Sequence, residues 1–158
     1  MRYRLDKTLP YSAATVWRAL SHLRHFARQD PFHRALEFIG DRDEGFGAQF
    51  RVRHSYLPIF PFGEDEVVCT VTAWEPERRL KLSEANRRRY RNHAQEFTLE
   101  PAGPGETRVR YEISYLGIPL VLLGWRLWAR WLVRRRMNEK LDDLADDCAF
   151  IARSRAAA

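Results

Sequence analysis

The stretch that decides the fold lies at the C-terminal end of the chain, at residues 119–154, and its sequence is PLVLLGWRLWARWLVRRRMNEKLDDLADDCAFIARS. Its second half repeats apolar residues at spacings of three and four, with acidic residues between them. This period is typical of an amphipathic helix that buries one face. The pattern predicts one long helix from Pro119 to about Ser154, with a buried stripe formed by Met137, Leu141, Leu144, Cys148 and Ile151.

The residues before this helix alternate between apolar and polar side chains, which is the period of β-strands. Seven strands are predicted, at residues 3–9, 36–39, 50–54, 67–74, 79–83, 93–100 and 107–115. Between the first two strands, Pro10 and the helix-capping residue Ser12 precede two short helical patterns. One long helix after a series of antiparallel strands indicates an α+β fold in which the helix covers a curved sheet.

Length and composition indicate a single folded domain. The chain has 158 residues, of which 45% are hydrophobic and 30% charged. These values are ordinary for a globular protein, so we expect one domain at residues 1–154 and a disordered tail at 155–158. The N-terminus enters a strand pattern without the apolar segment of a signal peptide, and Cys69 and Cys148 both fall on predicted buried faces. We therefore expect two buried thiols and a cytoplasmic protein, with peripheral association with a membrane as an alternative.

The net charge of +6 arises mainly from two groups of arginines. One lies at residues 87–91, in a predicted hairpin turn, and the other consists of Arg126, Arg130, Arg134, Arg135 and Arg136. Basic groups of this kind attract anionic membranes or nucleic acids, although a hairpin turn can also be simply solvated. Nucleic acid is the weaker alternative, because the sequence contains no helix-turn-helix or RNA-binding motif.

Four segments together resemble one protein family. They are YSAATVWRALS at 11–21, EGFGAQF at 44–50, WEPERRL at 74–80, and FTLEP at 97–101 leading to TRV at 107–109. In this order they are similar to the START-like (SRPBCC) superfamily, in particular its polyketide cyclase/dehydrase and lipid-transport group. The resemblance implies a helix-grip fold, in which a seven-stranded antiparallel sheet curls around the C-terminal helix and encloses a cavity for apolar molecules. Members include lipid carriers, cyclising enzymes and partner-binding proteins, so the fold alone does not give the activity.

The phases of the strands predict which side chains point towards the helix. The expected ligand-binding residues are Phe50, Val52, His54, Cys69, Val71, His93, Gln95, Phe97, Tyr111, Ile113 and Tyr115, with Tyr56 and Phe60 from a loop and Leu123, Leu127 and Trp131 from the helix. Histidine titrates near neutral pH and a buried phenol donates a hydrogen bond. The candidate acid–base residues are therefore His54, His93, Tyr111 and Tyr115. The alternative is that each is a partly buried polar residue satisfied by its neighbours.

Two further segments are unusually apolar for their positions. The loop at residues 55–63 contains five large apolar side chains, and the first half of the long helix contains two apolar stripes with arginines between them. The loop is expected to cover the cavity as a lid, or else to contact a partner or membrane. The second helix stripe is expected to meet a ligand, a second subunit or a bilayer interface, or to add to the core.

Signatures of metal and cofactor binding are weak. His22, His25, His33 and Asp30 lie close together in the sequence, but two imidazoles without a certain third ligand do not make a metal site. A glycine-rich phosphate loop, a nucleophile elbow and a paired cysteine motif are all missing from the sequence. We expect no metal and no cofactor.

Three functions are consistent with the sequence. We favour binding or transport of a hydrophobic small molecule, lipid-like or aromatic, without catalysis. The first alternative is a polyketide cyclase or dehydratase that uses the acid–base candidates. The second is a docking module for an anionic membrane or a protein, a homodimer included, which uses the basic, tryptophan-rich helix start and the 55–63 loop.

Overall fold

The computed structural model describes residues 2–28, 33–55, 64–85, 93–114 and 126–156. The strands are β1 (Arg2–Leu9), β2 (His33–Ile39), β3 (Gln49–Ser55), β4 (Glu64–Glu75), β5 (Arg79–Ala85), β6 (His93–Gly103) and β7 (Glu106–Ser114). The helices are α1 (Ala13–Ser21), α2 (Leu23–Arg28) and α3 (Arg126–Ala156). The predicted α+β class is confirmed, with each predicted strand present and longer or shorter by a few residues at its ends.

Each strand is antiparallel to its neighbours in a single sheet with the order β1-β7-β6-β5-β4-β3-β2. Sequential strands pair as hairpins from β2 to β7, and β1 pairs with β7. Because β1 and β2 lie at opposite edges of the sheet, α1 and α2 must connect these two edges. The helix α1 begins as the sequence predicted, with the Ser12 hydroxyl accepting a hydrogen bond from the Thr15 backbone N–H at 3.3 Å.

The long helix differs from its predicted limits at both ends. Residues 119–125 of the predicted helix lie outside the described residues. At the other end, α3 continues through Ala156, so Arg155 and Ala156, which composition assigned to a disordered tail, are helical. Alanine and arginine are strong helix formers, which explains the extra length. No described helix is long and apolar enough to cross a bilayer.

The core lies between the sheet and α3. The predicted buried stripe is confirmed, since Met137, Leu141, Leu144 and Cys148 are at most 3% exposed and Ile151 packs against them. These residues cover one face of the sheet, which we call the inner face. Both cysteines are buried, as predicted, and neither forms a disulfide. The helix is positioned from both sides, because Lys7 of β1 contacts Asp142, and His25 Nε2 of α2 lies 2.9 Å from Asp147 Oδ1.

The opposite, outer face of the sheet carries paired charges. Glu96 lies within ion-pair distance of Arg79, at 2.8 Å, and of Lys81, at 3.2 Å. Asp6 forms a similar pair with Arg110, at 3.1 Å. A wet outer face and an apolar inner face explain the strict alternation of the sequence.

Several connections lie at one end of this sheet. The register pairs Ser55 with Glu64, Glu84 with His93, and Ala94 with Ser114. The chain therefore passes from β3 to β4, from β5 to β6, and from β7 towards α3 at this same end, which we call the connection end. The polar side chains described below lie on the inner face at this end of the sheet.

Candidate functional site

A row of four polar side chains crosses the inner face at the connection end. Glu84 of β5 is the register partner of His93 on β6. Gln95 follows His93 by two residues and thus lies on the same face, diagonal to Glu84, while Tyr111 of β7 is diagonal to Gln95. Long side chains at directly opposite and diagonal positions of an antiparallel sheet can contact each other. The register alone thus brings these four residues together, and we call them the polar row.

The polar row is connected by hydrogen bonds. The Tyr111 hydroxyl donates to Gln95 Oε1 at 2.7 Å, and Gln95 Nε2 donates to Glu84 Oε1 at 2.6 Å. The other carboxylate oxygen, Glu84 Oε2, is in hydrogen-bond contact with His93 Nδ1. An ionised carboxylate only accepts hydrogen bonds, so with Glu84 ionised the proton of this contact is on Nδ1. The donors from both ends of the row then converge on Glu84.

The row is buried in apolar surroundings. Glu84 is 5% exposed, Gln95 8% and Tyr111 3%. The His93 side chain, at 12%, is slightly more accessible. Burial of a carboxylate costs several kcal/mol unless donors replace its water, and here Gln95 and His93 supply them. Hydrogen bonds in such surroundings also polarise one another, which strengthens the row as a unit.

The aromatic part of the row is held by stacking. The ring of Tyr111 lies over that of Phe97, with centroids 4.2 Å apart and planes 9° from parallel. Leu80 and Leu82 precede Glu84 on the same face of β5 and are buried. The stack on Phe97 therefore restrains the ring whose hydroxyl begins the row.

This arrangement is suited to two kinds of chemistry. A histidine whose Nδ1 contacts a carboxylate has a defined ring orientation, and its Nε2 is the second nitrogen at which a proton can be held or moved. The row can therefore orient a polar group of a bound molecule, or transfer a proton to or from it. In either case the apolar inner face beside the row would contact the rest of the molecule.

The structure brings most of the predicted site residues to one face. Among the apolar candidates, the structure buries Phe50, Val52, Cys69, Val71, Phe97 and Ile113 on the inner face. Of the polar candidates, His93, Gln95 and Tyr111 form part of the row. Tyr56, Phe60, Tyr115 and Leu123 lie outside the described residues, and His54 and Leu127 are described by their backbones alone.

One predicted lining residue is placed elsewhere. Trp131 was expected to share the stripe that faces the sheet, but its side chain is 54% exposed. On α3 it lies six residues before Met137, which rotates it by about 120° from the buried stripe. Trp131 thus lies on the solvent-facing side of α3.

Sequence reasoning missed Glu84. The predicted strand ended at Ser83, whereas β5 continues to Ala85 and places Glu84 in the phase of Leu80 and Leu82. The signal was present in the alternation of residues 80, 82 and 84 on one face, but a glutamate at the third position indicates a strand end rather than a buried site. Its hydrogen-bond contacts with His93 and Gln95 of β6 explain its burial.

His22 and His25, near the start of the chain, do not form part of this site. The rings of His22 and His25 are stacked with centroids 6.0 Å apart, and His25 pairs with Asp147 of α3. Asp30 lies outside the described residues, and His33 is described by its backbone alone. Within the described part of the chain, no group of three or more histidine, cysteine or acidic side chains is arranged to hold a metal ion.

Known structures share this architecture. A protein of Thermus thermophilus matches with a TM-score of 0.72 at 17% identity, over 94% of this chain and 97% of that one. The Zhui aromatase/cyclase of Streptomyces sp. R1128 matches with a TM-score of 0.69 at 11% identity, over 94% and 93% of the two chains. Truncated norcoclaurine synthase of Thalictrum flavum gives 0.69 at 14% identity, over 92% and 91%. At these identities the likeness shows the fold alone.

Sequence comparison gives the family. No functionally curated protein matches the chain. The family model described as polyketide cyclase/dehydrase and lipid transport matches residues 2–149, which is nearly the whole chain. The chain therefore belongs to the polyketide cyclase/dehydrase and lipid-transport family, within the helix-grip fold that the sequence predicted.

Proposed function

We propose that the chain binds a hydrophobic small molecule that carries at least one polar group, on the inner face of the sheet at its connection end. The family and the fold support a hydrophobic-ligand-binding or polyketide-cyclase-type protein. The observation that carries the finer proposal is the polar row, because Glu84 is an acid buried on a mostly apolar face and hydrogen-bonded to Gln95.

A core built only for stability has little use for this row. Replacing a buried ionic group by apolar side chains of similar volume is often neutral or stabilising. Titratable groups that are buried and paired are found preferentially at functional sites. The row therefore provides the polar contacts, and the buried face around Val71 and Phe97 provides the apolar surface, that a ligand of mixed character requires.

The first experiment identifies the ligand. Freshly purified protein is analysed by native mass spectrometry, then extracted with solvent, and any released molecule is identified. We expect a bound apolar molecule with a hydroxyl, carbonyl or carboxyl group. A clean apo mass together with no saturable binding of the apolar fluorophore Nile red would contradict the proposal.

Two matched variants test the role of the row. Glu84→Gln removes the buried charge, and Glu96→Gln makes the same change on the outer face, where Glu96 pairs with Arg79 and Lys81. We expect Glu84→Gln to weaken binding of the extracted molecule by at least about tenfold, since a hydrogen bond to a charged group contributes about 1.5–3 kcal/mol. Glu96→Gln should bind like the parent protein. Equal affinities of the two variants would show that the row does not contact the ligand.

The His93–Glu84 contact favours one second function, an acid–base reaction of the cyclase or dehydratase type. The solved neighbours include an aromatase/cyclase and norcoclaurine synthase. In such a reaction His93 would move a proton, and Glu84 would orient the imidazole through Nδ1. Turnover of a poly-β-keto substrate that His93→Gln abolishes would support this function. Binding without any turnover by the parent protein would eliminate it and leave the binding proposal intact.

A further inference from the structure

The solvent-facing side of the first described turns of α3 combines an exposed tryptophan with arginines. Successive residues of a helix are about 100° apart, so Arg130, Trp131, Arg134, Arg135 and Asn138 fall on one side of α3. All five are exposed, and Trp131 is among the most exposed of the large apolar side chains described, at 54%. The Arg135 guanidinium lies 5.5 Å from the centre of the Trp131 ring. We call this surface the Trp131 face.

The positive charge of this face is largely uncompensated. Residues 113–138 contain five arginines and no aspartate or glutamate. Arg135 pairs with Glu139 at 2.9 Å, and Glu139 also pairs with Arg136. Neither Arg130 nor Arg134 forms an ion pair within the described ranges of the chain. At least two full positive charges beside the indole are thus available to an anionic partner.

Helix stability does not explain this arrangement. The N-terminal end of a helix favours acidic residues, because its partial charge is positive. The first described turn of α3 contains no acidic residue, and the acidic residues of this helix begin only at Glu139. Because the Trp131 indole is largely exposed to water, it also contributes little hydrophobic stabilisation to the fold. The side chains of this face are therefore better explained by a contact outside the fold.

We propose that the Trp131 face docks the protein on an anionic lipid bilayer. Tryptophan is favoured at the boundary between head groups and acyl chains, and arginine binds lipid phosphates. Residues 118–123, which end two residues before α3 begins, are apolar throughout, and this favours lipid over nucleic acid as the partner. A symmetric dimer through this face would oppose the arginines of two copies, which disfavours a second copy of the chain.

Vesicle co-sedimentation tests this proposal. The parent protein is mixed with vesicles of phosphatidylcholine alone, or of phosphatidylcholine with phosphatidylglycerol. We expect binding to the anionic vesicles, weaker binding as salt increases, and little binding to phosphatidylcholine alone. The double variant R130Q/R134Q should lose about thirtyfold in partition coefficient, since each arginine near an anionic surface contributes roughly fivefold. Trp131→Ala should also weaken binding.

The same helix provides matched controls. Phe150 is 66% exposed, and Arg153 and Arg155 lie in its last turn. Phe150→Ala therefore removes an exposed aromatic side chain, as Trp131→Ala does, but away from the Trp131 face. The double variant R153Q/R155Q removes two positive charges, as R130Q/R134Q does. If these controls lose as much binding as R130Q/R134Q, net charge rather than this face causes the effect and the proposal is wrong.

Other partners give distinguishable results. A dimer in analytical ultracentrifugation that R130Q/R134Q dissociates would overturn the bilayer proposal. Retention on RNA at a salt concentration that abolishes vesicle binding would do the same. None of these readouts depends on the ligand of the polar row, so the docking proposal can fail while the proposed function stands.

Discussion

Glu84 and His93 are direct partners across strands β5 and β6, and their side chains form a buried carboxylate–imidazole contact on the apolar face of the sheet. Gln95 and Tyr111 extend this contact across two further strand positions. Since each member satisfies its neighbour, loss of one leaves a buried polar group without its partner. The energetic consequences are measurable in the absence of any ligand.

Tyr111→Phe tests the outer hydrogen bond of the row. The ring and its stack on Phe97 are retained, but Gln95 Oε1 loses its donor at 2.7 Å. We expect the free energy of unfolding to fall by about 1–2 kcal/mol, the cost of an unsatisfied buried acceptor. Urea denaturation measures this change. An unchanged midpoint would mean that water replaces the hydroxyl.

Glu77→Gly should stabilise the turn between β4 and β5. Glu77 has a φ angle of +59°, in the left-handed region that disfavours residues with a Cβ atom. Glycine removes this strain, although it adds entropy to the unfolded chain, so we expect a gain of about 0.5–1 kcal/mol. Thermal unfolding provides the measurement. The control Glu77→Ala keeps the Cβ atom and should give no such gain.

Asp143→Asn should stabilise the protein at neutral pH and not in acid. Burial raises the pKa of Asp143 above its ordinary value of 3.8, and the nearby carboxylates of Asp147 and Asp146 add to the increase. A raised folded-state pKa means that stability is lost as the pH increases through that pKa. Asparagine avoids this loss, so we expect a gain of less than about 1 kcal/mol at pH 7. In urea titrations the gain should disappear well below pH 3.8.

Asp6→Asn is the control, because the pKa of Asp6 is shifted in the opposite direction to that of Asp143. The hydrogen bond from Arg4, with a second from Arg110, lowers the pKa of Asp6. Its contribution to stability is present above its ordinary pKa and is lost as the pH falls through the folded-state value. The asparagine variant should therefore be less stable than the parent at pH 7. If both variants shift stability in the same direction, the burial of Asp143 is not the cause.

Cys148 should be chemically inert in the folded protein. Burial raises the pKa of this thiol to about 12, so almost no thiolate exists at neutral pH. In a Cys69→Ala background, Cys148 is the single remaining thiol. We expect iodoacetamide to label it only as fast as α3 opens, and at full rate in guanidinium chloride. Rapid labelling of the folded protein would contradict the packing of α3 on the sheet.

The sequence specified most of the fold because its signals are local. Alternation over residues 107–115 requires a strand with one wet face, and the repeat from Met137 to Ile151 requires a helix with one buried face. Within the described residues both predictions are confirmed, as are the cap at Ser12 and the buried state of both cysteines. The same phases placed His93, Gln95 and Tyr111 on the inner face.

One feature of the surface could not be obtained in this way. The first half of α3 has apolar repeats at helical spacing on more than one side, so the pattern does not show on which side Trp131 lies. Packing selects the stripe of Met137 and Leu141, and thereby leaves Trp131 exposed. Apolar repeats along a helix do not show which side of the helix packs against the sheet.

The sequence by itself thus determined the order of the strands and helices and the alternation of side chains along the predicted strands, because these follow from the geometry of neighbouring residues. The tertiary structure alone decided that Glu84 belongs to the site. Glu84 and His93 are nine residues apart in the chain, and only the register of β5 with β6 makes them partners. The physical reason is that a buried carboxylate is tolerated only where donors from another strand replace its water, and this cannot be known before the strands are paired.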